Sequence, residues 1–161
     1  MTQPPASAPK PAGIDPRGPR FGALITAVVL LGVIFLALVG APAAALGLLA
    51  AQTLVFAWGA FAGVARHPYG VLYKAVVRPR LGAPAALEDP VPPTFAQGVG
   101  LAVALTGVVL GLAGVPAGVP IFAAAAFVAA FLNAVFDYCL GCQLYLLLVR
   151  ARILGRRPAS A

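Results

Sequence analysis

Charge is what this chain has least of. Of its 161 residues, 9% are Asp, Glu, Lys or Arg, where a soluble domain carries about 25%. His, Trp and Met occur once each, and Cys twice. These shortages exclude much. One histidine, His67, and two cysteines cannot complete a zinc quartet within one chain, and two cysteines close together in an apolar run are no disulfide framework. No nucleotide loop, metal-ligand set or Ser/His/Asp arrangement is visible, so the sequence predicts no cofactor, no metal and no conventional soluble-enzyme chemistry. In place of charge stand apolar side chains, 61% of the total. No soluble fold of this length covers so much apolar surface, so the solvent for most of the chain is lipid, and the length suits one bundle.

A membrane-crossing helix needs about 20 mostly apolar residues. Four runs meet that length: 21–40, 43–64, 98–115 and 120–148, the last nearly 30 residues long. The connections after the first and third runs, Gly40-Ala-Pro-Ala and Val115-Pro-Ala-Gly-Val-Pro, carry no charge and are rich in turn formers. The 11 basic residues all fall on the other side. Lys10, Arg17 and Arg20 precede the first run, Arg66, Lys74, Arg78 and Arg80 join the second to the third, and Arg150, Arg152, Arg156 and Arg157 follow the fourth. Three or five spans would split this pattern. The positive-inside rule then places both ends in the cytoplasm. The expected division is a Pro-rich cytoplasmic tail over 1–20, retained rather than cleaved as a signal peptide, a transmembrane domain over 21–149 and a basic cytoplasmic tail over 150–161.

The net charge of +7 is distributed as topology and anionic-lipid contact, not as nucleic-acid binding, since no basic stretch is interleaved with exposed aromatics. Within the central connection, Pro68 opens a short interfacial helix over 69–77. Lys74 and Arg78 lie on its polar face, and Val71, Leu72, Ala75 and Val76 dip toward lipid. Arg78-Pro-Arg80 ends it, and the three basic residues face the anionic headgroups.

Two helix starts look alike. Asp15-Pro16-Arg-Gly-Pro-Arg-Phe21-Gly and Asp89-Pro90-Val-Pro-Pro-Thr-Phe95-Ala share Asp-Pro-x-x-Pro-x-Phe-small at an offset of 74 residues. The carboxylates accept backbone N–H groups, the prolines fix an extended approach, and Phe21 and Phe95 anchor at the interface. The fold class expected is an all-α membrane protein of four transmembrane helices, arranged as two parallel helical hairpins, with the short interfacial helix in the central cytoplasmic loop.

The fourth run is less plain: Phe131-Leu-Asn133-Ala-Val-Phe-Asp137-Tyr138-Cys139-Leu-Gly141-Cys142-Gln143-Leu-Tyr145. Counting inward from Arg150 on an unbroken helix, Cys142 lies about 12 Å deep and Cys139 about 16 Å. At i and i+3 their Cα atoms are about 5 Å apart, which permits a disulfide. The same pair reads equally as packing, because cysteine is a small apolar residue and a mid-helix thiol in lipid is a poor nucleophile. A break at Gly141 would raise the thiols toward water. Asp137, the one ionisable group expected inside a span, shares a face with Asn133, about 140–160° from the cysteines on a regular helix. It is therefore not their direct acid–base partner, and its two readings are function and helix-to-helix glue. Gln143 and Tyr145 are the remaining polar groups on the cysteine side.

Several of these segments together resemble one bacterial integral-membrane family, catalogued as domain of unknown function 4395. They are Ile14-Asp-Pro-Arg-Gly-Pro-Arg-Phe-Gly22, Val77-Arg-Pro-Arg-Leu81, Glu88-Asp-Pro with Pro92-Pro-x-Phe-Ala-Gln97, and Cys139-Leu-Gly-Cys142-x-Leu-Tyr145, extending from about Gly13 to Arg150. The family supplies no activity. The resemblance implies that Cys139 and Cys142 form a working redox pair, with a thioredoxin-like or sulfur-transfer protein as partner, and that Asp137 departs from a usual glycine. Two functions follow as expectations: a membrane thiol protein exchanging dithiol for disulfide or handling sulfur, and a non-enzymatic scaffold or assembly subunit whose cysteines only pack. A transporter of a small sulfur compound would need a homo-oligomer, since four thin helices enclose little polar lining.

Overall fold

The computed structural model describes residues 13–154; Lys10, Arg156 and Arg157, and most of both expected tails, lie outside them. The protein is all-α. Four helices are long and apolar enough to cross a membrane: α1 (Arg17–Leu38), α2 (Pro42–Ala62), α4 (Val91–Leu112) and α5 (Gly118–Phe136). Two shorter ones complete it, α3 (Pro68–Leu72) in the central connection and α6 (Leu140–Arg150) at the end. The chain is a multi-pass membrane protein.

The helices start where the side chains allow. Asp15 Oδ1 accepts the Arg17 N–H at 3.0 Å, and Asp89 Oδ1 accepts the Val91 N–H at 2.9 Å, so both motifs perform the same turn. Pro16 and Pro90 occupy the two N-cap positions. Helix α4 thus begins well before the apolar run that marked it in the sequence.

The offset of 74 residues runs through the whole element order. Helices α1 and α4 both have 22 residues and correspond end to end at that offset. The turn glycines Gly40 (φ 81°) and Gly114 (φ 75°) correspond, and so do the positive-φ residues Gly63 (φ 83°) and Asp137 (φ 57°) that follow α2 and α5. Ile14 and Glu88, also equivalent, exchange both backbone N–H···O bonds at 2.9 Å in an isolated antiparallel bridge. The bridge holds the N-termini of α1 and α4 at one end of the bundle. Each then packs mainly on the second helix of the other half, α1 on α5 and α4 on α2.

Between helices the approach is close and mediated by small residues, as expected where lipid removes any hydrophobic drive for helices to associate. A Cβ on Gly107 would meet Phe122 Cβ at 2.9 Å, and one on Gly118 would meet Leu110 Cβ at 2.5 Å. Leu30 and Val33 of α1, Leu49 of α2 and Ala104 and Ala123 of the second half are fully buried at the centre.

At the end carrying the basic residues, the expected interfacial helix is present but irregular. Helix α3 runs into a wide π-turn over Tyr73–Val77 and a 3-10 turn over Arg78–Arg80. Val71, Leu72, Ala75 and Val76 face outward. Tyr73 turns inward: it is 2% exposed, its ring lies 5.8 Å from Phe21, and its hydroxyl donates to Asp15 Oδ2 at 3.1 Å. Lys74 Nζ donates to the Ala65 carbonyl at 3.0 Å, and Arg80 Nη1 donates to that of Val76.

Asp15 is the hub of this corner. The Arg17 guanidinium hydrogen-bonds its carboxylate at 2.8 and 2.9 Å and, with the Arg17 N–H and the Tyr73 hydroxyl, lowers its pKa to about 2. A depressed carboxylate stabilises the fold above its unfolded pKa near 3.8 and loses that contribution as pH falls through about 2. Asp15→Asn should therefore lower the thermal midpoint in detergent at neutral pH, and the gap from wild type should close between about pH 4 and pH 2. Gly107→Leu should destabilise by about 1–3 kcal/mol through overpacking, read as a lower midpoint in the same assay.

Candidate thiol site

The single long helix expected over 120–148 is two helices. After α5 ends at Phe136, Asp137 takes the left-handed conformation (φ 57°, ψ 26°), and Cys139 turns extended as the N-cap of α6. The break is at Asp137 and Tyr138, not at Gly141. Gly141 has a different task. A Cβ there would meet Ala96 Cβ at 2.5 Å and its Cα at 2.6 Å, so glycine lets α6 lie directly against α4. Tyr145 holds the next turn of that contact, its ring 5.5 Å from Phe95.

This break overturns the depth expected for the cysteines. They do not lie 12–16 Å along a spanning helix but begin a separate helix at the end of the bundle where α1 and α4 start. Cys139 and Cys142 sit at disulfide-bonding distance, with Cα atoms 5.2 Å apart. The Cys142 backbone N–H donates to Cys139 Sγ at 3.2 Å. That places sulfur where an N-cap oxygen usually sits, against the positive end of the helix dipole.

Asp137 is likewise not inside a span. Its side chain is 63% exposed and pairs with Arg20 Nε at 3.4 Å, while Arg20 Nη2 donates to the Ala134 carbonyl at 3.4 Å. The turn also changes its angle to the thiols. Asp137, Asn133, Gln143 and both cysteines line one cavity of about 420 Å³ between α1, α4, α5 and the first turn of α6. Sequence reasoning missed Arg20 and Gln97 on the same walls. Both were legible only as a charge before a helix and a polar residue at its start.

Of the other named residues, Pro16 also lines this cavity and most of the rest lie elsewhere. Asp15, Lys74 and Arg78 border a second cavity of about 320 Å³ beneath the π-turn, along with His67, Tyr73 and Gln97. His67 is buried, and burial lowers its pKa, so the ring is neutral at physiological pH. Its Nδ1 accepts the Tyr69 N–H at 3.3 Å, while its Nε2 has no partner among the described residues. The Tyr69 hydroxyl donates to Gln52 Oε1 at 3.0 Å. Gln97 borders both cavities.

The left-handed turn decides where the cysteines go, and glycine fills that conformation without the cost a side chain brings. Asp137→Gly should be at least as stable as wild type, since the exposed Arg20 pair contributes little. Asp137→Val should cost about 1–2 kcal/mol, measured as thermal unfolding in detergent. Equal midpoints for the two variants would mean that the turn does not hold α6 in place.

No curated protein and no solved structure matches the chain. Over residues 14–150 it matches the family described as Domain of unknown function (DUF4395), and the chain belongs to that family.

Proposed function

We propose that the protein is a bacterial cytoplasmic-membrane thiol protein, with Cys139 and Cys142 cycling between dithiol and disulfide in exchange with a partner at the cytoplasmic face. The observation that carries this reading is the position of Cys139 as the N-cap of α6, at the basic end of the bundle. The positive-inside rule assigns that end to the cytoplasm. A thiolate at Cys139 gains the Cys142 N–H and the helix dipole, the setting in which cysteines become nucleophiles.

The exchange balances without other groups. The Cys139 thiolate attacks a partner disulfide, and the partner's leaving sulfur departs as thiolate. Cys142 then attacks the mixed disulfide, closing the Cys139–Cys142 bond and releasing the partner's second thiol. Thioredoxin-like and sulfur-transfer proteins are partners of fitting chemistry. The exposed basic residues Lys74, Arg78 and Arg80 serve anionic lipid at the same face. The scaffold reading draws on the contact of Gly141 with Ala96, which would stand unchanged if the sulfurs never reacted.

The two readings separate on thiol reactivity. In inside-out vesicles, a membrane-impermeant maleimide should label the cysteines only after reduction. With Cys142→Ser, Cys139 should alkylate with an apparent pKa below the ordinary thiol value of about 8.5. With Cys139→Ser, Cys142 should react more slowly at neutral pH. Labelling that appears only after detergent unfolding, or two thiols of ordinary pKa, would leave the scaffold.

A further inference from the structure

The cavity under the cysteines lies where the two halves differ. At the offset of 74 residues, buried Gln52 and Phe56 of α2 correspond to Ala126 and Ala130 of α5. In the first half these large side chains occupy the interior. In the second half the alanines leave the space open, with Ala129 between them along the same wall. About 420 Å³ falls within the range of small-molecule sites, about 300–1,000 Å³.

Its walls are spanning helices and its deep lining is apolar, so the route in suits a lipid-soluble molecule. Its polar groups stand on several walls: Arg20 beside Asp137 at the break before α6, Asn133 one turn back on α5, and Gln97 on α4 with its side chain against Gly59 and His67. Arg20 and Asn133 bring N–H donors, and the buried Gln97 Oε1 has no hydrogen-bond partner among the described residues. An unpaired buried acceptor is costly and calls for a donor. One wall is the Cys139–Cys142 pair itself.

We propose that this cavity takes the ring of a membrane quinone, which draws two electrons from the Cys139–Cys142 dithiol. The quinone's two carbonyl oxygens accept from donors such as the Arg20 guanidinium and the Asn133 amide. Once reduced, a quinol hydroxyl donates to Gln97 Oε1. The balance is complete: two thiols and one quinone give one disulfide and one quinol, with two electrons and two protons passing from sulfur to the quinone oxygens. The proposal rests on the dithiol reading above, taken in the direction in which a partner dithiol reduces the Cys139–Cys142 disulfide by the same two exchanges run in reverse, and adds the oxidant that restores the disulfide.

The test uses the full chain, reduced and freed of reductant in mild detergent. Its probe is a short-tailed ubiquinone or menaquinone analogue with every ring position substituted, so that thiols cannot add to the ring. Oxidised glutathione serves as a second oxidant for each sample. Wild type should consume one quinone per disulfide formed, and the double variant Cys139→Ser with Cys142→Ser should consume none. Filling the cavity with Ala129→Leu or Ala130→Leu should lower the ratio of quinone-linked to glutathione-linked oxidation by about tenfold or more. Val128→Leu, on the exposed face of the same helix, should leave the ratio unchanged. If either filled variant does not fold, Gln97→Leu should lower the ratio in the same sense. Glutathione exchange without quinone reduction, or a ratio indifferent to these fillings, would overturn the quinone site alone. Failure of both oxidants would overturn the dithiol reading with it.

Discussion

The close approach of α4 and α5 at their connecting turn governs much of this structure. Gly107, Gly111 and Gly118 give up their side chains so that Phe122, Val119 and Leu110 fit between the two helices. Packing of that kind is what holds helices together where the solvent is lipid. At the other end, the cavity and the first turn of α6 stand between them. Helix α6 fills that gap only because Gly141 meets Ala96 backbone to side chain. The thiol site is therefore a consequence of helix geometry set far along the bundle from it.

The same geometry is used twice, with different outcomes. Each half ends its second long helix on a residue of positive φ, Gly63 (ψ 151°) or Asp137 (ψ 26°), and then turns back across the bundle. In the first half the returning segment carries His67, Tyr69 and Tyr73, which turn toward the interior, Tyr69 donating to Gln52 Oε1 and Tyr73 to Asp15 Oδ2. In the second half the positions equivalent to His67 and Tyr73 are Gly141 and Leu147. One half sets aromatic and imidazole side chains around the smaller cavity of about 320 Å³. The other presents two sulfurs to an opening.

The sequence announces the frame of this arrangement more openly than its working parts. Charge placement and apolar run length are set by lipid, and they locate four helices and gather the basic residues on one side. The repeat was legible from Asp15 and Asp89 because helix starts need particular side chains. The break before Cys139 was not legible in the same way. Asp137 is neither glycine nor proline, and the apolar residues continue to Leu148, so hydropathy reads one helix. Only packing against Ala96 tells α6 from a continuation of α5. Tyr73 was hidden for a related reason: its neighbours face outward, and the π-turn swings it inward from a segment that looks uniformly interfacial.

A continuous fourth helix and a broken one differ chemically more than their sequences suggest. On a continuous helix every N–H near Cys139 is bound by a carbonyl one turn back, and desolvation opposes a thiolate. Breaking the chain at Asp137 frees the first N–H groups of α6, and Cys139 Sγ takes one of them. The backbone turn thus supplies what a charged neighbour supplies elsewhere, within a stretch poor in ionisable groups. In the exchange proposed above, a helix terminus at the edge of the bundle would favour a Cys139 thiolate without placing a further charge in lipid.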